Sequence, residues 1–192
     1  MKKTSAAILL FLSICLSVAA QNLNELSAID AVTGSAKSLG DLPSGKAIVL
    51  VFHSLNCPFT KMYEGRLKAL RTAFQNQGVS FALVNPEVTV STADQLPLRN
   101  YIDETDLNMP YLIDADKAWA KHFNVTKIPE VIVLTPGENG LQISYRGALD
   151  NNPQAELAVS EKYLERALNQ ILKGEAPSPG QVRAVGCNLR TY

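Results

Sequence analysis

The chain has 192 residues, with 18 basic and 18 acidic side chains, 46% apolar residues, 11 Gly, 10 Pro and 3 Cys. A chain of this length buries roughly 70% of the surface its unfolded form exposes, so it builds a core without staples, which excludes a cysteine scaffold and a disordered chain. Balanced charge without a long basic run excludes a nucleic-acid-binding surface.

Lys2 and Lys3 precede an apolar stretch from Ala6 to about Val18, and Val18-Ala19-Ala20 offers small residues to a signal peptidase. Residues 1–20 are therefore expected to be a secretory signal peptide, with the exported chain starting at Gln21 in the periplasm or outside the cell. About fourteen apolar residues fall short of the ~20 that a membrane-spanning helix needs, so no stable membrane span is expected. Lipidation at Cys15 is disfavoured by the bulky Ile14 before it. Cleavage after Ala20 leaves 16 basic against 18 acidic groups, with no pull toward phosphate backbones. It also leaves two thiols, Cys57 and Cys187, and two thiols in an oxidising compartment invite a disulfide or redox chemistry.

Residues 21–174 read as one α/β domain and residues 175–192 as a tail. The run from Ala47 to His53 predicts a strand buried on both faces. From Pro58 the spacing changes to Phe59, Met62, Tyr63, Leu67, Leu70 and Phe74, a helical stripe ending near Gly78. A strand over 79–84 is expected to lie parallel to the first. A helix from Asp94 to about Asp106, a short strand at 111–114 and a short helix at 117–123 follow. The run from Val131 to Leu134 predicts a buried strand, and the turn over 136–140 returns it through Leu141 to Arg146 as an antiparallel partner. A helix is predicted from Leu157 to Leu172, closing a mixed central sheet flanked by helices.

The chemistry gathers where the first strand meets the first helix. Cys57 stands at the N-cap or first turn, with Pro58 where a missing N–H costs nothing. Unpaired N–H groups and the positive end of the helix favour an anion, so a thiol placed there is drawn toward the nucleophilic thiolate. Thr60 is expected to donate a hydrogen bond to the sulfur from the same turn. The tail carries Gly186 and Cys187, and the thirteen residues from Gly174 to Cys187 reach roughly 40 Å when extended, enough for Cys187 to resolve an oxidised Cys57.

Cys57-Pro58-Phe59-Thr60 at a strand-to-helix junction, some seventy residues before Lys127-Ile128-Pro129-Glu130, resembles the thioredoxin superfamily, in its redoxin branch of peroxiredoxins and envelope thiol-disulfide oxidoreductases. The resemblance implies a thioredoxin-like fold and a cis Pro129 beside Cys57, with Pro58, Ile128 and Pro129 shaping the substrate groove. It implies thiol-disulfide exchange by Cys57 with protein or small-thiol disulfides, an external thiol reductant and no cofactor. Two departures keep other readings open. The second cysteine of Cys-x-x-Cys is replaced by Thr60, and Ser54 matches the peroxiredoxin pattern whereas Leu50 stands where its proline belongs. A thiol peroxidase using Cys57 and a redox-inactive binding module are the alternatives. A metal site built from His53, Cys187 and His122 lacks a paired-cysteine loop, so no metal is expected. Trp119 reads as core, Asp114 and Asp116 as caps, and Glu130 as either a substrate contact or a solvent-facing side chain.

Overall fold

In chain order the strands are β1 (Ser27–Asp30), β2 (Ala36–Ser38), β3 (Ala47–Phe52), β4 (Val79–Asn85) and β5 (Tyr111–Ile113). They continue with β6 (Lys127–Ile128), β7 (Glu130–Gly137), β8 (Gly140–Gly147), β9 (Gln181–Val182) and β10 (Cys187–Asn188). The helices are α1 (Pro58–Phe74), α2 (Thr92–Thr105), α3 (Ala118–His122) and α4 (Tyr163–Leu172). The computed structural model describes residues 26–43 and 45–189, so the signal-peptide reading of residues 1–20 lies outside it.

Eight strands form one mixed sheet in the order β2-β1-β5-β4-β3-β7-β8-β9, and β10 pairs with β6 in a separate ribbon. β3, β4 and β5 are parallel, as the intervening helices require, while β7 runs antiparallel to β3 and β8 to β7. All six residues of β3 are buried, because the sheet is covered on both sides. Val49 and Val51 face a core with Tyr63 and Leu67 of α1 and Leu164 and Leu168 of α4. Ile48, Leu50 and Phe52 alternate to the other face, with Trp119 and Ala120 of α3, Phe123 and Cys57. Asp114 ties α3 down by accepting the N–H groups of Trp119 and Ala120 at 3.1 and 2.9 Å. Burial pushes its carboxyl up, against the lowering effect of those N–H donors.

Two expectations change. The last helix begins at Tyr163, not Leu157, because Asn151 and Asn152 take the N–H groups of Gln154, Ala155, Ser160 and Glu161 and hold the segment as turns around a single 3-10 turn at Glu156–Ala158. Leu157 is consequently fully exposed. Met62 lies off the buried stripe of α1. In the segment after Gly174, β9 pairs in parallel with the outer edge of β8, with Arg146 opposite Gln181 and Gly147 opposite Val182. Gly147, at φ +125°, is required at that contact, since a Cβ there would meet the Val182 carbonyl oxygen at 1.6 Å.

Candidate functional site

β3 and β4 are parallel, so their C-terminal ends open on the same edge, where ligands gather in parallel sheets. The chain leaving β3 turns through Ser54-Leu55-Asn56 and enters α1 with Cys57 as N-cap and Pro58 as first helical residue. The Ser54 hydroxyl fixes this turn, accepting the Asn56 N–H at 3.1 Å and donating to Glu87 at 2.5 Å. Glu87 follows β4, and its own N–H is held by the Asn85 side-chain oxygen at 2.9 Å.

Cys57 Sγ is bonded to Cys187 Sγ at 2.04 Å across a sequence separation of 130 residues. Cys57 is 2% exposed and Cys187 half-buried, so the tail cysteine covers its partner and faces the outside itself. Cys57 Sγ also lies 3.1 Å from the Ile128 carbonyl oxygen. The Ile128–Pro129 bond is cis, and Ile128 and Pro129 are both buried beside the disulfide, whereas Pro58 is exposed at the start of α1. A cavity of about 580 Å³ opens onto the sulfurs, lined by Asn56, Glu87, Thr89, Lys117 and Asn188 among others.

The expected bond from Thr60 to the sulfur is not formed. Thr60 Oγ1 lies 2.6 Å from the Cys57 carbonyl oxygen and 2.7 Å from that of Ser54. At the third helical position its hydroxyl turns back over the preceding turn, while the sulfur turns toward Ile128. Thr60 is a clamp on the loop, fully buried.

His53 is fully buried and packs against Tyr101 and Tyr111. The Tyr101 hydroxyl lies 3.1 Å from His53 Nε2, so this ring nitrogen has a hydroxyl partner. Nδ1 lies 2.6 Å from the Tyr111 hydroxyl, whose oxygen accepts a hydrogen bond from Asn85 Nδ2 at 3.0 Å. Desolvation pulls its pKa down to about 3, so the imidazole is neutral. Glu130 is neither exposed nor directed at a substrate: it is 5% exposed and paired with Arg146 at 2.6 Å. Arg66, on the inner side of α1, is locked to buried Asp150 at 2.5 Å. Trp119 is core, as expected.

The residues sequence reasoning missed are Glu87, Asn85, Lys127 and Asn188. Asn85 and Glu87 carried a usable signal, polar residues closing an apolar strand at the edge where β3 delivers Cys57. Lys127 and Asn188, 2.5 Å apart, carried none, because the tail pairing that joins them spans 61 residues.

Over residues 20–141 the sequence matches the AhpC/TSA family. No curated protein matches it in sequence. Among solved structures, an uncharacterized conserved protein from Geobacillus kaustophilus is 25% identical, with a TM-score of 0.75 over 87% of this chain and 88% of that one. A hypothetical protein from Sinorhizobium meliloti is 23% identical, with a TM-score of 0.72 over 85% and 88%. A secreted disulfide oxidoreductase from Mycobacterium tuberculosis is 20% identical, with a TM-score of 0.50 over 78% and 95%. The shared architecture is the thioredoxin-like fold.

Proposed function

The chain belongs to the AhpC/TSA family, with a fold shared by thiol-disulfide oxidoreductases, and from that premise we propose that it is an exported thiol-disulfide oxidoreductase with Cys57 as its attacking thiol and Cys187 as its resolving thiol. The observation that carries this reading is the disulfide between a helix N-cap cysteine and a tail cysteine, lying against the loop of Ile128 and Pro129. The leader-like residues 1–20 support export. Protein disulfides are the substrates, and an external thiol resets the enzyme.

In the reduced enzyme the helix N-terminus favours the Cys57 thiolate. It attacks one sulfur of a client disulfide, forming a Cys57–client bond while the other client sulfur leaves as thiolate with the bonding electrons. Cys187, deprotonated, then attacks Cys57 Sγ, the intramolecular disulfide forms, and the second client thiolate leaves. The client has gained two electrons and the enzyme has lost two. Two thiolates of an external reductant reverse the enzyme half of the exchange.

A peroxidase reading would use the same sulfur with an arginine to polarise the peroxide. Arg66 and Arg146 are committed to Asp150 and Glu130, which weighs against it. The test is reaction of the reduced protein with insulin and with hydrogen peroxide, followed by peptide mapping. Reduction of insulin, return of the Cys57–Cys187 disulfide and a trapped Cys57–client adduct in Cys187→Ser are expected. Rapid peroxide consumption without exchange, or two thiols that stay free after oxidant, would overturn the proposal.

A further inference from the structure

The tail does more than bring a second sulfur. Cys187 lies opposite Ile128 and Asn188 opposite Lys127 in an antiparallel pair, and the Leu189 N–H continues the ladder to the Thr126 carbonyl at 3.0 Å. An extended segment is therefore laid along β6 by strand addition, with its cysteine delivered to Cys57. Each neighbouring position meets a distinct constraint.

Before the cysteine there is room for no side chain. A Cβ on Gly186 would lie 2.0 Å from the Ile128 carbonyl oxygen and 3.0 Å from Pro129 N, both backbone atoms of the site that cannot step aside. After the cysteine, Asn188 Oδ1 accepts a hydrogen bond from Lys127 Nζ at 2.5 Å, a position that suits an amide or a carboxylate and repels a cation. Next, Leu189 is 7% exposed and joins the apolar cluster holding Trp119, Phe123 and Ile128.

We propose that the β6 edge is a sequence-selective docking site for an extended client polypeptide reading glycine, cysteine, Asn or Asp, then an apolar residue, of which the C-terminal tail is the built-in copy. This rests on the thiol-exchange reading and deepens it, naming the class of client. The tail fills the site in the oxidised enzyme, and reduction lets it swing out so that a client strand takes its place. Cys57 thiolate then attacks the disulfide-bonded client cysteine at the register Cys187 occupies, and the client's former partner sulfur leaves as thiolate.

The experiment uses the reduced full-length Cys187→Ser protein and the symmetric disulfide of the peptide Ala-Val-Gly-Cys-Asn-Leu, which copies residues 184–189. Formation of the Cys57–peptide mixed disulfide is followed by mass spectrometry. Variant peptides carry valine for glycine, lysine for asparagine, or aspartate for leucine, and glutathione disulfide serves as an unselective oxidant. Residual occupancy of the groove by the protein's own tail slows all peptides by one factor and leaves their ratios intact. The valine peptide is expected to react at least about tenfold more slowly than the parent, equivalent to ~1.4 kcal/mol. The lysine and aspartate peptides are expected to be slower by a few-fold, and Lys127→Glu to reverse the ranking of the asparagine and lysine peptides. Equal rates for all peptides alongside normal reaction with glutathione disulfide would overturn the docking site and leave thiol exchange standing. No adduct with any peptide or with glutathione disulfide would overturn thiol exchange and the docking site with it.

Discussion

Opening the Cys57–Cys187 bond should cost as much stability as the most damaging core truncations. The bridge closes a loop with a sequence separation of 130 residues, most of the described structure. Chain-entropy arithmetic for a loop that long gives a stabilisation of about 5 kcal/mol, exerted on the unfolded state. For a domain of this size that corresponds to a fall in Tm of ~10–20 °C on reduction. The unfolded chain also expands once the loop opens, so the urea m-value should rise with reduction, which loss of local contacts alone would not produce. The assay is urea and thermal unfolding by circular dichroism, with and without excess dithiothreitol, compared with Cys187→Ala, which should match the reduced protein and ignore the reductant. A Tm moving by less than ~2 °C, with m unchanged, would refute the reasoning, because an unconstrained unfolded chain means the two sulfurs are not joined in the folded one.

His53 makes a pH prediction. Its folded pKa is depressed to about 3 from 6.5, so the unfolded chain takes up its proton first as the pH falls. Stability contributed by the neutral ring is whole above about pH 6.5 and is lost toward pH 3 at up to ~1.4 kcal/mol per pH unit. The stability difference between the native protein and His53→Gln should shrink over that window and be flat above it; parallel curves would exclude the imidazole as the cause. Thr60→Val should destabilise by ~0.5–1.5 kcal/mol, because the hydroxyl's single hydrogen bond is lost while the Ser54 and Cys57 carbonyls keep their backbone donors, yet leave the pH dependence of Cys57 alkylation in the reduced protein in place. Thr60→Ser should restore the stability, and a shifted alkylation profile in Thr60→Val would return the hydroxyl to the sulfur.

Legibility followed the range of the interaction. β3, β4, β7 and α1 were readable because both faces of the sheet are covered, which prints uninterrupted apolar runs, and because Pro58 marks a helix start. Cys57 was readable from the same local junction, and the cis bond before Pro129 through family resemblance. The start of α4 was misplaced because Leu157 fits the helical spacing, while the asparagine turns that oppose it are side-chain contacts invisible to periodicity. β6, β9 and β10 are two residues each, too short to print any period, and exist only because distant segments meet. Thr60 was placed on the correct turn but given the wrong acceptor, since residue spacing fixes neighbours and not the rotamer that chooses between them.

The short strand β9 determines what happens after the sulfur bond opens. Val182 is held at the sheet edge, and only residues 183–186 separate it from Cys187, a leash of at most ~18 Å. The released thiol therefore never joins the bulk solution; it patrols the entrance at an effective concentration in the millimolar range. A soluble thiol entering by chance must compete with that resident, so lasting reduction calls for a dithiol donor that captures both sulfurs, or for a client strand that occupies the entrance first.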